Sequence, residues 1–236
     1  TRKRGELAVA VVNENLSITD AECIISRPYH LSFPNVFKYK NQYYIIPETQ
    51  SNHTIEIYKA VNFPYKWELH KTILNNISAV DTIILNKDDD GLILHTSVAE
   101  LDSCNVENWM IQLDNAFNVL GSKKIKDFSE YGNRNGGSLV SENGFLYRIG
   151  QDCRNGEYGK GLVIYKTDGI SEKEVRYCGL EQFGVMDSKY SGIHTYNSCA
   201  LMEVIDLRYF RKRNFLEKLI FIMRLGGNYV KRRIRR

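Results

Sequence analysis

Short runs in which apolar side chains alternate with polar ones dominate the chain, and turn-forming residues separate them at close intervals. Alternation with period two puts every second side chain on one face, so these runs predict half-buried β-strands. Residues 36–40 and 43–47 flank Asn41-Gln42 and predict a hairpin. Residues 80–85 and 92–96 flank Asp88-Asp89-Asp90-Gly91, whose short polar side chains and glycine favour a reversal. Residues 137–140 and 145–149 flank Glu142-Asn143-Gly144, and an Asn-Gly pair tolerates the left-handed backbone of a tight hairpin turn. Further strands are predicted at 7–13, 54–60, 67–74, 110–113, near 119, and at 162–166, 175–178 and 200–205.

The three hairpins share one form, and their starts lie roughly 45–60 residues apart, the spacing of propeller blades. A β-sandwich offers similar strand spacing. Residues 213–225 break the style. Phe215, Leu216, Leu219, Ile220, Ile222 and Met223 recur at helical spacing among Glu217, Lys218 and Arg224, and Gly226-Gly227 follows as a stop. A short C-terminal helix is predicted there, either packed on the domain or lying in a membrane interface beside a basic anchor. The expected organisation is a β domain over 1–210 and an amphipathic helix with a basic tail over 211–236.

Composition narrows the classes. The chain has 236 residues and is 43% hydrophobic, enough for one large domain with a real core. Its 15 Tyr and 10 Phe suit pleated, half-buried surfaces. A net charge of +4 is too mild to imply nucleic acid as a partner. The excess sits at the ends, in Arg2, Lys3 and Arg4 and in Lys231, Arg232, Arg233, Arg235 and Arg236. Such a tail is either a solvated end or an attachment to an anionic membrane or polyanionic glycan. Five cysteines, odd in number and without a CxxC pair, argue for a reducing compartment and against a zinc site. No metal or cofactor is expected. The apolar run at 7–12 is too short for a signal core, and no run reaches transmembrane length. The expected location is the cytoplasm, peripheral to a membrane.

Several polar residues stand where strands begin or end. Asp81 precedes the apolar Ile83-Ile84-Leu85, and a carboxylate entering a buried strand is costly unless it is paired or used. It either caps a turn or serves as a general base or charge modulator. Glu48, after Pro47, either pairs with an arginine or takes an acid/base or hydroxyl-accepting role. Glycoside chemistry commonly uses two carboxyl groups at controlled separation. Arg134 lies in the glycine-rich Tyr131-Gly132-Asn133-Arg134-Asn135-Gly136-Gly137, where it is either a surface residue or a bidentate grip on phosphate or carboxylate. Gln151-Asp152 follows a predicted strand, and the pair can both donate to and accept from sugar hydroxyls. His194 and His30 are each either ligand-facing donors or satisfied core histidines.

An ordered series of motifs carries a resemblance. It runs through His30-Leu31-Ser32-Phe33-Pro34, Ile46-Pro47-Glu48-Thr49, Ile55-Glu56-Ile57-Tyr58-Lys59-Ala60, Phe63-Pro64 with Trp67, and Ala79-Val80-Asp81-Thr82. It continues through Gln151-Asp152-Cys153, Tyr158-Gly159 and Gly192-Ile193-His194-Thr195. Over residues 5 to 206 the chain resembles the N-terminal domain family of glucosamine inositolphosphorylceramide transferases and its bacterial relatives. That family is similar to the five-bladed furanosidase-type propellers.

The resemblance implies an all-β, five-bladed β-propeller with a central polar pocket built from the innermost strands. It places the site near Phe33-Pro34, Asp81, Arg134, Gln151-Asp152 and His194. Asp81, Glu48 and Asp152 become the expected catalytic groups, and Arg134, Gln151, His194, His30 and Tyr158 the expected substrate-binding ones. The catalytic-base Asp of the furanosidase-type propellers precedes a Pro, whereas Phe33 precedes Pro34 here. The relatives usually carry an upstream Ala-Asp-Pro-Phe, so the chain is expected to lack part of the first blade. The implied function is that of a carbohydrate-active domain, glycosyltransferase-associated or glycosidase-like, in surface-polysaccharide or glycolipid assembly. The alternative is a glycan-binding propeller without catalysis. The expected partner is a carbohydrate or sugar phosphate.

Overall fold

The computed structural model describes residues 4–99, 106–125, 132–154, 159–169, 171–199 and 201–210. The predicted C-terminal helix and tail lie outside the described residues, as does Tyr158. Among the described residues the structure is all β apart from short 3-10 turns, such as those at Gln50–Asn52 and Glu181–Phe183.

Strands β1 (Leu7–Val9) and β2 (Glu22–Ile25) form a two-stranded antiparallel sheet. Three four-stranded antiparallel meanders follow. The first holds β3 (Ser32–Tyr39), β4 (Gln42–Thr49), β5 (Thr54–Asn62) and β6 (Lys66–Asn75). The next holds β7 (Ala79–Lys87), β8 (Gly91–Ala99), β9 (Val106–Asp114) and β10 (Val119–Ile125). The third holds β11 (Val140–Glu142), β12 (Phe145–Gln151), β13 (Leu162–Thr167) and β14 (Glu172–Cys178). A fifth unit combines the β16 (Tyr196–Cys199) and β17 (Met202–Ile205) hairpin with β15 (Tyr190–Gly192) paired to β18 (Arg208–Tyr209). These sheets are the blades of a five-bladed propeller.

The turns explain the meanders. Lys40 and Asn41 both have positive φ, 44° and 62°, as do Asn143 and Gly144 at 50° and 77°. Two consecutive left-handed residues make the hairpin turn whose twist matches that of the strands. The first turn therefore sits one residue earlier than Asn41-Gln42. At the other hairpin, Asp88 Oδ1 accepts hydrogen bonds from the main-chain N–H groups of Asp90 and Gly91, at 2.9 and 3.1 Å.

The core lies between blades. Ile55 and Ile57 of β5 pack with Phe37, Tyr44 and Ile46 of their own blade and with Leu92, Leu94, Ile111 and Leu113 of the next. Tyr58 belongs to the opposite face, where it meets Leu7, Ile25, Leu31 and Ile45. β5 thus serves two cores with alternate side chains, as the pleat requires. A third cluster joins Ile149, Leu162 and Cys178 to Ile193, which lies between β15 and β16 of the last blade.

One device recurs at the start of successive inner strands. Ser32 pairs with Glu48 and Asn35 with Ile46, so Phe33 and Pro34 together face one residue. Val80 pairs with Ser97 and Ile83 with His95, so Asp81 and Thr82 do the same. Phe33 and Asp81, the first residues of these two bulges, have φ of 44° and 51°. A bulge bends its strand and re-aims a side chain, and here both residues line the central cavity. In the fourth blade the stretch before β11 takes the inner position. Gly136 N donates to Ile149 O at 2.8 Å, and Tyr196 N donates to Gly136 O at 2.7 Å. Gly137 has no room for a side chain, because a Cβ would stand 1.8 Å from Tyr196 O.

Candidate functional site

The inner strands converge on a cavity of about 480 Å³. His30, Ser32, Phe33, Pro34 and Asn35 line it from the second blade, with Glu48 from β4. Asp81, Arg134, Gln151, His194, Thr195 and Asn197 complete the wall.

Two carboxyl groups dominate its chemistry. Arg134 Nε donates to Asp81 Oδ2 at 2.6 Å, and Arg134 Nη2 lies 3.6 Å from Glu48 Oε2. Ser32 and the Asp81 main chain also favour the ionised form of Glu48, and the two carboxyl groups are close enough to influence each other. Burial, and then the neighbouring Asp81 charge, push Glu48 up from 4.5 to about 7, with Arg134 opposing them. Burial also raises Asp81, against the pull of Arg134. Two like charges in a poorly solvated site cannot both ionise cheaply, so the pair tends to hold a shared proton.

Gln151 is fully buried. Its Nε2 donates to Asn135 O at 2.6 Å and to Asp81 Oδ2 at 3.2 Å. Two acceptors on that side fix which way the amide points. Oε1 is then left buried without a hydrogen-bond partner among the described residues.

A strut stands behind this wall. Asn135 Nδ2 donates to Asp81 O at 2.7 Å and also meets His95 Nδ1. Arg148 Nη1 donates to Gly132 O at 2.9 Å and to Asn135 Oδ1 at 3.3 Å. Its other edge forms a bidentate pair with Glu172, with Nη2 to Oε2 at 2.8 Å, and both side chains are sealed from solvent. Burial, and then the Arg148 charge, hold His95 well below the usual imidazole range. The glycine-rich stretch that presents Arg134 is therefore clamped from within.

On the far wall His194 Nδ1 pairs with Asp206 Oδ2. Asp206 Oδ1 accepts from the main-chain N–H groups of His194 and Thr195, at 3.0 and 2.7 Å. These contacts outweigh burial and hold Asp206 down at about 2.

The structure brings Glu48, Asp81, Arg134, Gln151, His194 and His30 to one cavity, with His30 Nδ1 also accepting from Gly5 N at 2.7 Å. Asp152 does not line it. Its carboxylate accepts from Arg154 Nε at 2.8 Å and Nη2 at 3.3 Å. Ser32, Asn35, Thr195, Asn197 and Asp206 escaped sequence reasoning. Asp206 had one signal, since it follows β17 as Asp152 follows β12. Among the described residues no group of three or more His, Cys, Asp or Glu is placed to hold a metal ion.

Comparison with known proteins places this geometry. The family model described as "Glucosamine inositolphosphorylceramide transferase 1, N-terminal" matches residues 1–217. The chain belongs to this family. The curated glucosamine inositolphosphorylceramide transferase 1 of Arabidopsis thaliana is 34% identical over 161 residues, covering 64% of this chain and 20% of the relative. Its counterpart in Oryza sativa subsp. indica is 28% identical over 160 residues, covering 64% and 21%. The chain thus spans about a fifth of the length of these relatives. Among solved structures, a GH43 endo-arabinanase from Bacillus licheniformis superposes with a TM-score of 0.57, at 11% identity and 88% coverage of each chain. An exo-1,5-alpha-L-arabinanase from a bovine ruminal metagenomic library gives 0.56, at 14% identity, covering 89% of this chain and 83% of that one. At these identities the likeness establishes the propeller fold.

Proposed function

We propose that this domain handles carbohydrate in glycolipid or surface-polysaccharide assembly, as a glycosyltransferase-associated propeller whose central cavity grips a sugar. The constellation of Glu48, Asp81, Arg134 and Gln151 in that cavity carries the reading. Carboxyl, guanidinium and amide groups side by side offer acceptors and donors at the spacing of neighbouring sugar hydroxyls. Phe33 and Pro34 supply an apolar wall for a sugar face. The name of the curated relatives supports a glycolipid setting.

Glu48 and Asp81 share one guanidinium, at 3.6 and 2.6 Å from Arg134, whereas the carboxyl pairs of glycosidases stand about 5–5.5 Å or 6.5–9.5 Å apart to flank the bond they cleave. The pair therefore suits gripping and proton sharing better than cleavage across a bond. Calorimetric titration with a panel of monosaccharides and sugar nucleotides tests the proposal. Saturable binding that Arg134→Ala weakens at least tenfold is expected. Binding untouched by that change sinks it.

A second reading is favoured by the value near 7 at Glu48, which suits a general acid or base at neutral pH. It predicts release of nucleotide from a sugar nucleotide, lost in Glu48→Gln while binding persists. The basic residues 231–236 would hold the domain against an anionic membrane, at about 1 kcal/mol per charge. Co-sedimentation with phosphatidylserine vesicles, lost on charge reversal of these residues, checks that placement.

A further inference from the structure

The inner strands give the propeller two unlike ends. β3, β7, the stretch ahead of β11, and β16 start beside the cavity at Phe33, Asp81, Arg134 and Asn197 and run away from it. β1 does the same, since Gly5 N donates to the cavity-lining His30 at 2.7 Å. Their hairpin turns therefore gather at the end opposite the cavity. Lys40 Nζ donates to Asp89 O at 3.0 Å and Lys87 Nζ to Lys38 O at 2.7 Å, which ties the turns of the second and third blades together there. Every blade carries an apolar side chain at that end. Leu16 stands in the first turn and Phe63 and Tyr65 in the outer turn of the second blade. Leu120 lies just past the β9–β10 turn, Phe145 just past Asn143-Gly144, and Leu201 between β16 and β17. All are exposed, Leu16 at 80% and Leu201 at 91%, so their apolar area gains nothing from the fold.

We infer that this end of the propeller rests on a lipid bilayer, with these side chains in the interfacial layer and the cavity facing water. The apolar tips are separated by polar turn residues, Asp88, Asp89 and Asp90 on one blade edge and Asn115 and Asn118 on another. They do not form the contiguous apolar patch that the core of a protein interface needs. A plane meets all the tips at once, and lipid headgroups solvate the polar turns between them. Lysine–aromatic pairs recur at this end, with Lys166 Nζ 3.1 Å from the centre of the Phe145 ring and Lys38 Nζ 5.7 Å from that of Tyr43. Such a pair suits the interface, where the ring enters the acyl boundary and the ammonium stays with the phosphates. Exposed Lys40, Lys66 and Lys166 stand against exposed Asp89, Asp90 and Asp168. With charge near balance, attachment runs on apolar insertion and a zwitterionic surface suffices. The basic residues 231–236 differ in this respect, since they would need anionic lipid. The surface is independent of the sugar-binding reading.

The test is flotation of the whole chain with phosphatidylcholine vesicles, at low salt and at about 0.5 M, where surface charges are screened within a few ångströms. Similar partitioning at both salt concentrations is expected. The combined variant Leu16→Ser, Leu120→Ser and Leu201→Ser should partition at least tenfold more weakly, with an unchanged melting curve because all three side chains are exposed. The two tryptophans report the orientation in the wild-type chain. Trp67 opens β6 beside the tip, its ring centre 5.9 Å from that of Phe63, whereas Trp109 lies in the cavity-side half of β9. Brominated phosphatidylcholine should quench Trp67 and spare Trp109, so that Trp67→Phe abolishes the quenching. Quenching of Trp109 instead would place the cavity end on the bilayer and overturn the inference. Binding confined to phosphatidylserine vesicles and lost at high salt would assign attachment to the basic residues and overturn it as well. So would a triple variant that floats like the wild type. An absence of flotation, with self-association that the triple variant abolishes, would give the surface to a second copy of the chain and overturn the bilayer.

Discussion

Two buried carboxylate clusters sit within one blade and its neighbours, and they are opposites. Glu56, on β5, accepts from Tyr29 Oη at 2.8 Å on both oxygens, from Thr54 Oγ1 at 2.9 Å, from Asn52 Nδ2 at 3.1 Å and from Tyr58 Oη. Arg27 closes the group, donating to Tyr58 Oη at 3.0 Å and lying over its ring. Burial and the hydrogen bond to Glu56 raise the Tyr58 hydroxyl, so it stays a donor. Every lone pair of Glu56 has an occupant. Glu48 and Asp81 instead crowd each other, share Arg134 and border a cavity. A carboxylate enclosed by donors stabilises the fold. One that is raised in pKa and open on one side is available to a ligand.

The contrast breaks first at Glu56. Glu56→Leu leaves two tyrosine hydroxyls, a threonine hydroxyl and an amide without their acceptor, and should cost about 3–5 kcal/mol in denaturant unfolding. Sugar affinity of the folded fraction should stay as in the wild type. A loss under about 1 kcal/mol would show that the saturated shell does little for the fold. Asp81→Asn should behave in reverse. Asparagine tolerates the φ of 51° at this position, and Glu48 remains to face Arg134. Stability should shift by less than in Glu56→Leu, and sugar affinity should drop at least tenfold. Removing the Asp81 charge should also lower Glu48 from about 7, read by carboxyl NMR titration. An unmoved Glu48 would mean that burial alone sets its value.

A smaller effect separates the clusters by pH. Glu48 is raised in the folded state, so between about 4.5 and about 7 the folded chain binds more protons than the unfolded one. Stability contributed by Glu48 is then present below that window and declines as pH rises through it, the reverse of a salt-bridged carboxylate. Glu48→Gln should flatten this slope in melts at pH 5, 6 and 7. An equal slope in wild type and variant would remove Glu48 as its source.

The blades were legible because strand alternation and turn chemistry are local. Asn143-Gly144 takes the left-handed pair that its residues favour. Lys40-Asn41 shows the limit, since a lysine at positive φ carries no sequence signal and the turn lies one residue early. Glu48, Asp81 and Arg134 could be picked out as polar residues at strand ends, but their mutual contact spans blades and no spacing encodes it. Asn35 reaches Ser138 across 103 positions. Asp152 looked equivalent to its neighbour Gln151, yet adjacent residues at the end of a strand point to opposite sides. Gln151 turns to the axis, and Asp152 is taken by Arg154.

The finest test of the contrast lies on the far wall, where Asp206 acts on the cavity through His194 and Thr195. Asp206 holds the His194 ring by Nδ1 and the adjacent main chain by two N–H groups. Asp206→Asn keeps the shape but removes the charge, so the ring should turn more freely and sugar affinity should fall only severalfold. Because the folded Asp206 sits near 2, its contribution to stability is present above about 3.8 and is lost as pH falls toward 2. An acid melt of Asp206→Asn should therefore lose less stability over that interval than the wild type. A loss of affinity as large as that of Asp81→Asn would move Asp206 from a positioning role into the binding set itself.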